Sequence, residues 1–156
     1  MDFNKHTTIQ LRNWLNSNEF SASCWLGREF EYSPDLDCIY VPLHNNMWCD
    51  EEFINHLINM GYNPAMALTI ETLSFLHELG HAETNEDFDN DEWNFGVTIA
   101  NMVPLLDIEP EDMMDAYWNS PCEAAANEWL IDFINNDFDA VKELDNIMKK
   151  YCIVNA

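Results

Sequence analysis

The chain has 156 residues, enough for one domain with a buried core, and hydrophobic residues make up 47% of them. Six Lys and Arg residues stand against 29 Asp and Glu residues, which gives a formal net charge of −23. This charge excludes a protein that binds nucleic acid through phosphate contacts and argues against docking on anionic membranes, because both need a basic surface. It leaves open a mimic of nucleic acid, or a site that prefers a basic protein or peptide as substrate.

The sequence has the features expected of a cytoplasmic protein. Its beginning, MDFNKHTT, has no basic stretch followed by an apolar run, as a secretory signal would have. No apolar run approaches the roughly 20 residues of a membrane span. The five cysteines include no C-x-x-C pair, which is typical of reduced thiols. Neither a repeat nor a Pro/Gly/Ser-rich linker divides the chain, so residues 1–156 are expected to form a single domain.

Periodicity and capping residues predict a mostly helical chain. Asp50 can cap a helix that ends before Gly61. Asn63 and Pro64 then open a longer helix that is apolar on most sides and is therefore expected to be buried. Helices are expected over 7–16, 50–60, 65–84, a short stretch within 107–119, 120–136 and 140–151.

Two strands are expected, over 25–32 and 38–43, on either side of the turn residues Ser33 and Pro34. Pro42 is expected to end the second strand or to mark it as an edge strand. The acidic stretch 85–92 is expected to be a solvated loop, and 95–102 fits no single element. The predicted fold class is therefore α+β, mostly helical with a small sheet.

The segment most informative about function is H-E-L-G-H, at residues 77–81 within the predicted 65–84 helix. His77 and His81 lie one turn apart on one face, so both imidazoles can reach a single metal ion. Glu78 is rotated by about 100° from His77, which places it beside the metal, where a general base would act on a water molecule. Gly80 is costly in a helix interior, so another element is expected to pack closely against it.

A catalytic zinc site needs a third protein ligand. The longer motif with a third histidine is not formed, because Thr84 stands where its glycine belongs and Asp87 where its histidine belongs. Glu123 is the favoured candidate, since the three alanines after it would let its helix pack closely against the histidine helix. Asn127, one turn further, could accept a hydrogen bond from a ligating histidine. The remaining candidate ligands are Glu128 and the acidic stretch 85–92.

These residues also have structural explanations. The sequence S-P-C-E at residues 120–123 fits a capping box, with Ser120 as N-cap and Glu123 reaching back to it. One carboxylate cannot fill both roles, so the cap and the ligand are competing predictions for Glu123. The two histidines could likewise be core residues, although imidazoles in apolar surroundings require partners or a metal.

Two motifs together resemble a known family. H-E-L-G-H followed by E-x-x-A-N-x-W, from Glu123 to Trp129, is similar to the gluzincin zinc peptidases of the ImmA/IrrE group, whose second motif reads E-x-x-A-N-x-F-A. The resemblance covers about residues 38–133, with Leu130 in place of the group's alanine and a long insertion between the motifs. It implies a zincin-like fold, in which the small sheet packs beside the motif helix. It further implies one zinc ion bound by His77, His81 and Glu123, with Glu78 as catalytic base and Asn127 as partner of a zinc ligand.

The sequence therefore favours a zinc-dependent peptidase. Zinc would lower the pKa of its bound water and polarise the scissile carbonyl, and Glu78 would pass the water proton to the leaving amine. The oxyanion needs a further donor, for which Tyr117, His44 and Tyr62 are candidates. Tyr117 is favoured because it shortly precedes the predicted 120–136 helix, and an ordinary packed aromatic is its alternative role. The strand near Tyr40 could offer its edge to an extended peptide.

Two alternatives belong to other classes. In the first, an acidic interaction protein mimics nucleic acid and blocks a basic partner, and its metal site is structural or vestigial. In the second, a phage-encoded or virion-associated protein uses a zinc-stabilised fold for assembly. Removing Glu78 separates the first alternative from the peptidase, because a mimic would keep its activity. The sequence does not indicate an oligomeric state.

Overall fold

The computed structural model describes residues 1–45, 50–89, 91 and 116–153. The predicted α+β class is confirmed, since the described residues form mostly helices and one three-stranded sheet. The helices are α1 Lys5–Ser17, α2 Asp50–Met60, α3 Ile70–Thr84, α4 Pro121–Asn136 and α5 Phe138–Tyr151. The strands are β1 Ser23–Gly27, β2 Glu31–Ser33 and β3 Cys38–Pro42, and two 3₁₀ turns cover Pro64–Met66 and Asn85–Asp87.

Several helices begin and end close to their predicted positions because their terminal residues act as caps. Asn4 Oδ1 accepts a hydrogen bond of 3.0 Å from Thr7 N and starts α1. Gly61 adopts a φ of 116° directly after α2, a conformation that favours glycine. Pro121 begins α4, and Asp137 caps α5 by accepting from the backbone N–H of Ala140.

The helix predicted over 65–84 is wrong at its beginning. Pro64–Met66 form a separate 3₁₀ turn, and Ala67 then adopts a left-handed φ of 52° that interrupts any continuous helix. α3 begins at Ile70, where the side chain of Thr69 accepts a hydrogen bond from the Thr72 N–H. The Asn63–Pro64 pair therefore caps a short turn, and Thr69 is the cap of the helix itself.

The strand predicted over 25–32 is two strands, because the chain reverses between Gly27 and Glu31. The sheet order is β1-β3-β2, with β1 parallel and β2 antiparallel to β3. β3 is thus paired on both sides, and the predicted free edge near Tyr40 is wrong. Among the described residues, β1 and β2 are the edge strands. Pro42 ends β3, as predicted.

The core lies between one face of the sheet and the helices, with α3 in contact with β2, β3, α4 and α5. As the apolar pattern predicted, α3 is mostly buried, and Leu73, Phe75 and Leu79 are inaccessible to solvent. Within the described residues, no helix has both the length and the apolar character needed to cross a membrane. The 95–102 segment, most of the 107–119 stretch and residues 90 and 92 of the acidic stretch lie outside the described residues.

Candidate metal centre

The centre forms where α3 crosses α4. A Cβ atom placed on Gly80 would lie 2.5 Å from the carbonyl oxygen of Ala126 and 2.9 Å from its Cα. Because no side chain separates the two backbones here, the polar residues of both helices meet in the same space. The close approach expected from Gly80 and from the alanine run is therefore present.

Three side chains converge on one point. Glu123 Oε2 lies 2.7 Å from His77 Nε2 and 3.2 Å from His81 Nε2, and the two Nε2 atoms are 3.1 Å apart. A circle through these three atoms has a radius of about 1.7 Å, which is shorter than a zinc bond of roughly 2.0–2.1 Å, so one ion can reach all three. Among the described residues, this is the group of side chains close enough to hold a metal ion.

The structure excludes one of the two predictions for Glu123. Ser120 makes no side-chain capping bond to α4, and its hydroxyl donates instead to the carbonyl of Tyr117 at 2.6 Å. The carboxylate of Glu123 faces the histidines rather than the helix start. The predicted capping box is therefore wrong, because the hydroxyl of Ser120 bonds to the Tyr117 carbonyl and the carboxylate of Glu123 contacts the histidines.

His77 is held in a fixed orientation by α4. Its Nδ1 lies 2.7 Å from Oδ1 of Asn127, a residue with no solvent exposure. An amide oxygen can only accept, so Nδ1 carries a proton and Nε2 is the nitrogen that faces the centre, where it could bind a metal ion after losing its own proton. This is the contact that the spacing of Glu123 and Asn127 led us to expect.

Burial and opposite charges determine the protonation of the centre. Burial disfavours a charge on His77, but the carboxylates of Glu123 and Glu78 and the hydrogen bond to Asn127 together outweigh it and raise the pKa of His77 to about 9. Burial also opposes the charge on Glu123, yet His77 and His81 hold the pKa of that carboxyl well below its usual range. Without a metal, a proton thus sits between these groups in the place that a cation would take.

Glu78 lies beside the cluster and is hydrogen-bonded to the sheet. Its Oε2 accepts a hydrogen bond of 2.8 Å from the backbone N–H of Tyr32, in edge strand β2. Burial raises the pKa of Glu78, while the neighbouring histidines oppose that rise. A raised pKa makes this carboxylate a stronger base than an exposed one, which suits a group that accepts a proton from water.

Of the other predicted site residues, some contact the cluster and some lie elsewhere. Tyr117 OH donates a hydrogen bond of 2.9 Å to Glu123 Oε1, so Tyr117 belongs to the site. His44 is exposed and pairs with Asp2, and the hydroxyl of Tyr62 accepts from the backbone N–H of Leu68. The alternative ligand Glu128 is exposed on α4 and is not part of the cluster.

Two aromatic rings that pack against His77 are not indicated by the sequence. The rings of Phe53 and Trp118 stand edge-to-face with the His77 ring, with centroids 5.6 and 6.1 Å away. Phe53 and His56 both stack on Trp118, from one face of α2. Their spacing of three residues is a helix-face signal, but the sequence does not show which element that face meets. The backbone N–H of Tyr32 was also missed.

Comparisons of the chain with protein-family models, curated proteins and solved structures find no match. The inference of function therefore depends on the site itself.

Proposed function

We propose that this protein is a zinc-dependent peptidase of the gluzincin type, with His77, His81 and Glu123 as the zinc ligands. One observation carries the proposal: three buried donor atoms from two helices converge within bonding reach of one ion, with a carboxylate beside them. Two imidazoles and one carboxylate are a donor set that suits zinc, and three protein ligands leave a position open for chemistry.

A bound zinc ion would activate a water molecule and polarise the carbonyl of the bond to be cleaved. Glu78 would accept the proton of that water and deliver it to the leaving amine. The hydrogen bond from the Tyr32 N–H would keep one oxygen of Glu78 in place, leaving the other for the proton. Asn127 would fix the imidazole of His77 in the form that binds metal.

The resemblance to the ImmA/IrrE group supports the same assignment, including a zincin-like arrangement in which the sheet lies beside the motif helix. Contacts of β2 and β3 with α3 agree with this arrangement. The substrate would be a protein or peptide, and the net charge of −23 favours a basic one. We place the activity in the cytoplasm, with neither nucleic acid nor membrane as partner.

The metal site is tested first, by elemental mass spectrometry of the purified protein. We expect one zinc per chain in the wild type and in Glu128→Ala, an exposed change on the same helix. His77→Ala and Glu123→Ala should lose the zinc or bind it far more weakly. A wild-type protein that holds no metal, even after zinc is added at neutral pH, would overturn the proposal.

The reaction is tested separately, with Glu78→Gln. This variant should keep its zinc but should no longer release new amino termini from a library of basic peptides that the zinc-loaded wild type cleaves. Equal cleavage by both proteins would remove Glu78 from the mechanism. A wild type that binds zinc and a basic protein but cleaves nothing would favour the acidic mimic instead.

A further inference from the structure

The two carboxylate oxygens of Glu123 have different partners. Oε2 faces the histidines, at 2.7 Å from His77 Nε2 and 3.2 Å from His81 Nε2. Oε1 accepts a hydrogen bond of 2.9 Å from the hydroxyl of Tyr117. One oxygen of the carboxylate therefore faces the histidines, and the other is bound by a neutral hydrogen-bond donor.

Tyr117 is itself held in place by its neighbours. Its carbonyl accepts two hydrogen bonds from Ser120, one from the backbone N–H at 3.1 Å and one from the hydroxyl at 2.6 Å. Its ring packs edge-to-face on Trp118, with centroids 5.0 Å apart. Since Trp118 also contacts His77, the phenol of Tyr117 is fixed relative to both sides of the centre.

A carboxylate can bind a metal ion through one oxygen or through both, and the second mode takes up an additional coordination position. A donor that occupies Oε1 turns the carboxylate plane and disfavours the two-oxygen mode. On the basis of the zinc site proposed above, we propose that Tyr117 is a positioning residue that restricts Glu123 to one-oxygen binding. The ion would thereby stay four-coordinate, with three protein donor atoms and one position for water or substrate.

This role differs from the oxyanion donor that the sequence led us to consider. The hydroxyl of Tyr117 bonds to a ligand of the proposed ion and acts on the reaction through Glu123. A direct donor would affect only the reaction, whereas a positioning residue also affects how the metal is held in the resting protein. The two roles are therefore separated by measurements that involve no substrate.

The test compares the wild type with Tyr117→Phe, which removes the hydroxyl and keeps the ring. Zinc affinity is measured by competition with a chromophoric chelator, and the coordination number by the visible absorption of the cobalt(II) form and by X-ray absorption of the zinc form. We expect about 10- to 100-fold weaker zinc binding in Tyr117→Phe. We also expect the cobalt bands to weaken, from the intense bands of a four-coordinate ion to those of a five-coordinate one.

Two further variants make the test decisive. Tyr151→Phe removes a phenol at the end of α5, where its ring contacts His6, and should match the wild type. Tyr117→Leu removes the ring as well; if it alone changes the spectrum, ring packing is the role and the proposal is overturned. An unchanged spectrum in Tyr117→Phe would overturn it too, whatever the affinity. A wild type that binds neither metal would instead count against the proposed function.

Discussion

Gly80 and Ala126 bring the backbones of α3 and α4 into direct contact, with 2.5 Å between a Cβ built on Gly80 and the Ala126 carbonyl oxygen. His77 and His81 lie on one helix of this crossing and Glu123 on the other. The distance between their donor atoms therefore depends on a position that carries no side chain. A substitution at Gly80 should change both the stability of the protein and its affinity for zinc.

Gly80→Ala should lower the free energy of unfolding by about 1–3 kcal/mol, measured by urea denaturation with a chelator present. Alanine is favoured over glycine in a helix by about 1 kcal/mol, but the added methyl would meet backbone atoms that cannot turn away. Zinc affinity should fall as well, because the helices must separate. Gly61→Ala should also destabilise, since φ there is 116°, but should leave zinc affinity unchanged. Wild-type stability and affinity in Gly80→Ala would contradict the close crossing.

Asn127→Ala should weaken zinc binding by about 10- to 100-fold, because His77 would lose the acceptor for its Nδ1 proton. Asn127→Asp keeps an acceptor oxygen and should bind zinc more tightly than the alanine variant. Competition titrations at neutral pH measure both. Asn63→Ala, which removes an exposed turn cap, is the matched control and should have wild-type affinity. Equal zinc affinity in all four proteins would show that Asn127 does not orient a ligand.

The metal-free protein should lose stability as the pH rises from 6.5 to 8.5. The pKa of His77 is raised from 6.5 to about 9 on folding, so its stabilisation is complete below 6.5 and is lost as the pH rises through the folded value. This shift corresponds to a fall of roughly 2 kcal/mol in the free energy of unfolding over that interval. Urea denaturation in a chelator at several pH values measures it.

His77→Gln is the control for this pH dependence, and most of the fall should disappear in it. At acid pH the sign is opposite for Glu123, whose folded pKa is lowered. Its stabilisation is present above the usual carboxyl value of 4.5 and is lost as the pH falls below that value. An identical alkaline loss in wild type and His77→Gln would mean that another group is responsible.

Asp145→Ala should lower the free energy of unfolding by about 2–3 kcal/mol without changing zinc stoichiometry. This buried carboxylate accepts hydrogen bonds from Thr69 N and from the hydroxyls of Thr69 and Thr72, and so ties α5 to the start of α3. Lys149→Met removes its exposed ion-pair partner and should cost less than about 1 kcal/mol. Thermal and urea unfolding compare the two, and a larger loss in Lys149→Met would contradict this assignment.

Much of the fold and the candidate ligand set follow from local signals. The end of α2 and the beginning of α4 could be predicted because Gly61 and Pro121 act within a single turn of chain. The convergence of His77 and Glu123 could be predicted because two histidines four residues apart share a helix face, and the alanines after Glu123 let its helix pack closely against that face. Ala67, whose left-handed φ interrupts the predicted long helix, gives no such signal.

The features that could not be predicted depend on contacts between distant segments. That β3 is the central strand depends on how β1 returns to pair with it, which strand propensity does not encode. Whether Glu123 caps α4 or faces the histidines depends on whether the hydroxyl of Ser120 bonds to the Tyr117 carbonyl rather than to the start of α4. Phe53 and Trp118 resemble any core aromatics until the position of His77 is known.

The bond from the Tyr32 N–H to Glu78 has a consequence for mutational surveys. Every side-chain substitution at position 32 except proline keeps this donor. An alanine scan would therefore report the loss of the phenol, whose hydroxyl bonds to Asp37, and would leave the partner of Glu78 intact. The group that orients the proposed base belongs to the backbone, so it is kept wherever a related chain follows the same path. A comparison of residue identities would therefore not show whether two chains share it.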